Sequence, residues 1–218
     1  MEYLLEWREY KKIKSNYYTK RIPISKIHLE DICDKLDLPN KGIKFLSSGR
    51  YGNAYRIGDK VLKITTDKTE ANSISSLISS NINNDSIVKY YSINRYKLGK
   101  EFVYVILMDY LKPIMDYISN NGYYNFINLI LDIIYDNWND MSISKFNEHI
   151  EKEYSIDRLP KLAKDIISKF WKLYNDLKHL KKCDLHYNNL GIDKNGNIVM
   201  FDFTDFRRMK KFDAPNII

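Results

Sequence analysis

The chain has 218 residues, 44% of them hydrophobic, which is enough to bury the core of one compact or two-lobed domain and excludes global disorder. Its net charge of +7 suits an anionic ligand but specifies none by itself. Two cysteines, Cys33 and Cys183, make no C-x-x-C pair, so a disulfide scaffold or a zinc cluster is not expected, and no stretch nears the roughly 18 apolar residues of a membrane span. A reducing, cytoplasmic setting without a membrane partner is the expectation.

Residues 1–40 read as an N-terminal helical extension. Its first piece mixes Tyr, Trp and Lys. The second, ISKIHLEDICDKLDL, sets Ile24, Ile27, Ile32, Leu36 and Leu38 near helical spacing. Over residues 41–111 the pattern changes. IKFLSS, AYRI and KVLKIT predict three antiparallel strands separated by a GRYGN loop and a GD turn. DKTEANSISSLISS predicts a helix with Asp67 as N-cap, Glu70 at N3, and Ala71, Ile74, Leu77 and Ile78 on one face. SIVKYYSI and EFVYVILMDYL predict two further strands around Gly99.

Residues 112–218 are mostly helical in pattern, with an insert-like helical segment over 113–157. RLPKLAKDIISKFWKLYNDLKHL repeats apolar residues at Leu159, Leu162, Ile166, Phe170, Leu173, Leu177 and Leu180, the intervals of one long core-facing helix. LGI and NIVMFDF then predict a hairpin closed by Asn-Gly. The expected fold class is α+β: an antiparallel sheet carrying one helix, followed by a helical half.

The hairpin is expected to bring Asn189 and Asp202 together, two oxygen donors of the kind Mg²⁺ accepts. Asp184, in the loop leaving the long helix, can orient a hydroxyl or take its proton. One acid beside two metal ligands suits phosphoryl transfer, where positioning and charge neutralisation supply most of the catalysis. Gly49 and Gly52 in SSGRYGNAY can let backbone N–H groups approach an anion. Lys63 stands mid-strand among Val61, Leu62 and Ile64, a costly place for a charge without a partner; Glu70 is the obvious one. Plainer uses exist for the same residues. Glu70 also fits a capping box with Asp67, the glycines fit a hairpin turn, and Asn189 fits a turn cap. Trp138 and its aromatic neighbours read as core.

Taken in order, these segments resemble the protein-kinase-like superfamily over about residues 44–205. SxGRYG resembles its glycine-rich loop, with Ser47 where the first glycine usually sits; VLKI resembles the strand of the phosphate-binding lysine, and LMDYL the hinge. CDLHYNN resembles the catalytic loop and FDFT the metal-binding motif. The resemblance implies a bilobal fold with an antiparallel-sheet N-lobe carrying one helix. It implies a nucleotide site of Ser47, Ser48, Gly49, Gly52, Ala54, Val61, Lys63, the gatekeeper Met108, and the hinge residues Asp109, Tyr110 and Leu111. The catalytic set it implies is Asp184, Lys63, Glu70, Asn189, Asp202 and His186, with ATP and Mg²⁺ as cofactors and the metal on Asn189 and Asp202.

Four departures from the superfamily pattern stand out. Lys182 occupies the place of a bracing histidine, and Thr204 that of the glycine after Asp-Phe. His186 replaces the lysine common in protein kinases, so D-L-H-x-x-N is closer to aminoglycoside- and choline-kinase-like enzymes. The chain ends at Ile218, soon after Asp205, which predicts a reduced C-lobe without an activation segment, an A-P-E motif or the later helices. The implied function is transfer of the ATP γ-phosphate to a hydroxyl, with a protein Ser/Thr acceptor. The alternatives are a small-molecule phosphotransferase and a nucleotide-binding pseudokinase module. Only net charge speaks for a nucleic-acid partner.

Overall fold

The structure, a computed structural model, describes residues 24–49, 51–79, 84–116, 122–179, 185–201 and 216–218. Two units are present. Unit 1 runs to Ala71, resumes over Tyr91–Met108 and takes Ala214–Ile218; unit 2 takes Asn72–Tyr90 and Asp109–Asp213. The class is α+β, built on an antiparallel sheet of five strands plus helices.

Unit 1 begins with α1 (Lys26–Lys35), whose N-cap Ser25 accepts a bond from the His28 N–H. The apolar spacing predicts this helix through Leu38, but it stops at Lys35. Asp37 adopts the left-handed conformation, and the Leu38 N–H turns back to the Cys33 carbonyl at 2.9 Å. That closure satisfies the terminal carbonyls and leaves Pro39 outside the helix. The strands are β1 (Lys44–Ser48), β2 (Gly52–Ile57), β3 (Lys60–Thr65), β4 (Tyr90–Leu98) and β5 (Glu101–Asp109), in the order β1-β2-β3-β5-β4. At the β4 edge, β9 (Asn216–Ile217) adds in parallel, with Asn94 opposite Asn216. Nothing in the sequence pattern signals that return, because two residues carry no periodicity.

One face of the sheet is closed by α1. Leu29, Ile32 and Cys33 pack with Tyr55, Ile57, Leu62, Ile64, Tyr96, Val103 and Val105 in one apolar core. The helix is also fastened by polar bonds: the Tyr96 hydroxyl donates to Asp31 at 2.7 Å, and Lys35 pairs with Asp31 at 3.1 Å. Burial, and secondly the bond to Asp31, pushes the Tyr96 hydroxyl from 10.0 up to about 12. Burial, followed by the nearby Asp34 and Glu30 carboxylates, pushes the Cys33 thiol from 9.0 to about 11. Both groups favour the folded state as neutral species. Their stabilisation is whole below the unfolded values of 9.0 and 10.0 and is lost as pH rises through about 11 and 12. The melting temperature is therefore expected to hold from neutral pH to about 9 and fall steeply above it. In a scan of melting against pH, the double variant Cys33→Ala/Tyr96→Phe should flatten that fall.

The chain leaves β3 into α2 (Lys68–Ser79), capped by Asp67, whose Oδ1 accepts from the N–H groups of Thr69 and Glu70 at 2.8 and 3.2 Å. Ala71, Ile74 and Leu77 are buried as their spacing predicts. The predicted strand SIVKYYSI is divided. Its first half does not enter the large sheet but runs beside β8 (Ile198–Met200) of unit 2: the Met200 N–H donates to the Ser86 carbonyl and the Val88 N–H to the Met200 carbonyl, both at 2.9 Å. Only from Tyr90 does it become β4.

Unit 2 is framed by α3 (Tyr124–Asp136), α4 (Ile143–Glu153) and α5 (Lys161–Leu177), with a small sheet of β6 (Lys112–Pro113), β7 (Leu190–Ile192) and β8 in that order. α5 starts later than its apolar repeat because Pro160 takes the N-cap position. Its Ile166, Phe170, Leu173 and Leu177 pack with Phe126, Ile130 and Ile134 of α3 and with Phe146 and Ile150 of α4. The segment read as insert-like thus supplies much of this core. Trp138 belongs to it as expected; its carbonyl accepts the Tyr174 hydroxyl at 3.0 Å. No helix among the described residues is long and apolar enough to cross a membrane.

Candidate functional site

Alternation in β3 sends Leu62 and Ile64 into the unit 1 core and leaves Val61, Lys63 and Thr65 for the opposite face. Lys63 sits opposite Ala54 and Val61 opposite Arg56 in register with β2. The Lys63 ammonium forms an ion pair with Glu70, whose side chain is only 5% exposed against 21% for the lysine.

Glu70 has two possible uses, the lysine and the capping box, and the backbone decides between them. The box needs the Asp67 N–H. That N–H instead donates to the Thr65 hydroxyl at 3.0 Å, while Asp67 caps the helix with its own carboxylate. The Glu70 carboxylate turns to Lys63. Its burial makes the pair structurally costly, and the buried acid holds the strand lysine in place.

The loop between β1 and β2 is closed by the Gly49 N–H donating to the Gly52 carbonyl at 2.8 Å. In this conformation the Gly49 amide is engaged within the loop. Gly52 is required for space rather than for its φ: a Cβ there would collide with the backbone of Ile64 and Thr65. Ser47 and Ser48 lie exposed on β1, opposite Ala54 and Asn53.

Met108 is buried near the end of β5, followed by half-buried Asp109, Tyr110 and Leu111. The Asp109 N–H donates to the Lys89 carbonyl at 3.0 Å. The chain then enters β6, where Pro113 lies opposite Gly191. A Cβ on Gly191 would sit 2.5 Å from the Leu111 Cβ and 3.0 Å from the Lys112 carbonyl. Gly191→Ala is expected to cost about 1–3 kcal/mol by overpacking and to push residues 111–113 off β7. A lowered urea midpoint with increased hydrogen exchange at Leu111 and Lys112 would report it.

The hairpin of β7 and β8 is closed as the Asn-Gly signal predicts. Asp193 accepts from the Asn195 and Asn197 N–H groups, both at 2.8 Å, and Gly196 takes the left-handed conformation. The register puts Leu190 opposite Met200. One step further out, the Phe201 N–H donates to the Asn189 carbonyl at 3.0 Å. The hairpin therefore joins Asn189 to the residue preceding Asp202 in sequence. Asp184 and Asp202 themselves lie outside the described residues, as do Cys183, Lys182, Thr204 and Asp205.

Asn189 ends a short 3₁₀ turn (Tyr187–Asn189) whose N-cap is His186. The His186 Nδ1 accepts from the Asn188 N–H at 3.2 Å, which puts the proton of the neutral ring on Nε2. Asn189 is 8% exposed, and Leu185 and Leu190 beside the turn are buried. Asn189 stands at the open end of the hairpin, and Asp202 follows β8 by two residues in sequence. Among the described residues no group of three His, Cys, Asp or Glu side chains gathers around one point.

Two supports of this region escape a sequence reading. Ser86 donates to Asp176 at 2.6 Å, Lys172 to the same carboxylate at 2.9 Å, and Asn84 to the Asp176 carbonyl at 3.0 Å. The end of α5 thus pins the segment that borders β8. Burial alone would raise the Asp176 pKa, but the Ser86 hydroxyl and the Lys172 ammonium outweigh it and hold the carboxyl below its usual 3.8. The second support is Tyr90, whose hydroxyl donates to the Phe201 carbonyl at 2.7 Å. Gly191 is different: a glycine between Leu190 and Ile192 in a strand is itself a signal of close backbone approach.

Lys63 and Glu70 belong to unit 1, and His186 and Asn189 to unit 2. Comparison with known proteins adds no relative: no family model and no curated protein matches the chain.

Proposed function

We propose that the protein is an ATP- and Mg²⁺-dependent phosphotransferase with a reduced, bilobal protein-kinase-like fold, unit 1 serving as the nucleotide lobe and unit 2 as the catalytic lobe. The observation that carries this reading is the Lys63–Glu70 pair, formed while the competing cap donor is engaged by Thr65. A strand lysine fixed by a buried acid binds the α- and β-phosphates at no cost in side-chain ordering at the moment of reaction.

Loop amides between β1 and β2 cover the phosphates. Ala54 and Val61 are assigned to the adenine base, as is the backbone of Asp109, Tyr110 and Leu111. Asn189 and Asp202 would hold Mg²⁺, which when bound neutralises phosphate charge. Asp184 orients the acceptor hydroxyl and takes its proton, and His186 sits one turn before Asn189 to meet the transferred group. The acceptor proposed is a protein Ser/Thr hydroxyl. In support, α3 and α4 spend their apolar faces on the core of unit 2 and so act as framework instead of a separate enclosure for a small acceptor.

The test is transfer of label from γ-labelled Mg·ATP by the wild-type chain, offered in turn itself, a generic protein and a metabolite pool. Label on protein is the expected result. Label confined to small molecules reassigns the acceptor to a metabolite or antibiotic. Nucleotide binding without transfer makes the chain a pseudokinase, and absence of nucleotide binding overturns the whole reading.

A further inference from the structure

We infer that Thr66 is a positioning residue that ties the loop over the phosphates to the helix carrying Glu70, an inference that rests on the proposed nucleotide site. The β2–β3 ladder ends with Gly52 opposite Thr65. One position beyond it, the Tyr51 carbonyl receives two bonds from Thr66: the backbone N–H at 2.8 Å and the side-chain Oγ1 at 3.2 Å. A carbonyl oxygen has two lone pairs, and one residue fills both. Tyr51 is itself 44% exposed, and its backbone carbonyl is bonded twice on this side of the loop.

The same short segment sets the helix. The Asp67 N–H is held by the Thr65 hydroxyl at 3.0 Å, and Asp67 Oδ1 in turn accepts the N–H groups of Thr69 and Glu70. The Ala71 N–H donates to the Asp67 carbonyl at 3.1 Å. Strand β3 ends at Thr65 and α2 begins at Lys68, which leaves only Thr66 and Asp67 between them. Both are bonded, one backward to the loop and one forward to the helix, so the connection has no slack. The Tyr51 carbonyl is thereby tied, through Thr66 and Asp67, to the turn that aims the Glu70 carboxylate at Lys63. The order of the loop and the aim of the ion pair, which is already formed, are then set together.

Thr66→Val tests this with little disturbance, because it keeps the β-branch and the backbone bond and deletes only the hydroxyl. Its affinity for Mg·ATP should fall roughly three- to tenfold, the value of one hydrogen bond. Affinity for adenosine, which carries no phosphate, should not change, and Thr66→Ser should restore ATP binding. Hydrogen exchange in the unliganded variant should quicken at the loop amides of Gly49 and Gly52 and together at Glu70 and Ala71, while α1 stays protected. Faster exchange in the loop alone would overturn the coupling. Equal losses for ATP and adenosine, unrelieved by Thr66→Ser, would reduce Thr66 to a structural role. Should the wild type bind no nucleotide, the phosphotransferase reading fails, and the exchange pattern still decides whether loop and helix are joined.

Discussion

Asp184→Asn is expected to lower phosphoryl transfer by about 10²- to 10⁴-fold, the contribution of a positioned general base, while Mg·ATP affinity stays close to that of the wild type. Asparagine keeps the shape of the side chain and removes its capacity to take a proton. The neighbouring framework has no reason to move. Leu185 and Leu190 are buried, the Asn189 N–H is held by the His186 carbonyl at 2.9 Å, and the hairpin beyond is closed by its own ladder. Single-turnover transfer measured beside equilibrium nucleotide binding separates the two effects. Unimpaired transfer would remove Asp184 from its role. Parallel loss of binding would make it a nucleotide ligand instead.

Lys63→Met is expected to cost about 3 kcal/mol of stability and to abolish tight ATP binding. The reason is an asymmetry in burial. Glu70 lies almost wholly out of water, so removing the ammonium strands a charge that water cannot reach, whereas Lys63 is about a fifth exposed and can be rehydrated. Glu70→Gln should therefore cost less, about 1 kcal/mol, the ordinary value of a hydrogen bond. The double variant Lys63→Met/Glu70→Gln should regain part of the stability lost by Lys63→Met, since no buried charge remains. Urea denaturation of the four proteins gives the cycle, and titration with Mg·ATP gives the functional arm. Equal losses from the two single variants, adding in the double, would mean that the pair is screened by solvent and holds nothing in place.

Legibility differed between local and long-range features. The Asp67 cap, the buried face of α2, the Asn-Gly hairpin and the apolar seam of α5 were all readable, because each rests on interactions within a few residues of the signal. Lys63 and Glu70 were readable as partners, since strand and helix adjoin in the chain. Whether Glu70 served the lysine or the cap was not. That choice depended on the Thr65 hydroxyl reaching the Asp67 N–H first. The splitting of residues 86–93 between two sheets was equally hidden, because alternation marks a strand without naming its partner. Asp176, far along α5, bonds Ser86 and braces the same segment, a contact that no spacing rule reaches.

Sequence by itself determined the identities and order of the chemical groups: a lysine in a strand, an acid on the next helix, an amide and acids around a hairpin, and an apolar seam to hold them. Those follow from periodicity, capping and turn chemistry, which act over a turn of helix or a pair of strands. Only tertiary structure decided which carboxylate met which cation, that α1 closes the sheet as part of its core, and that the last residues return to β4. Each of these is a competition among distant groups for burial and for a limited number of hydrogen-bond donors, and its outcome is set when the chain packs.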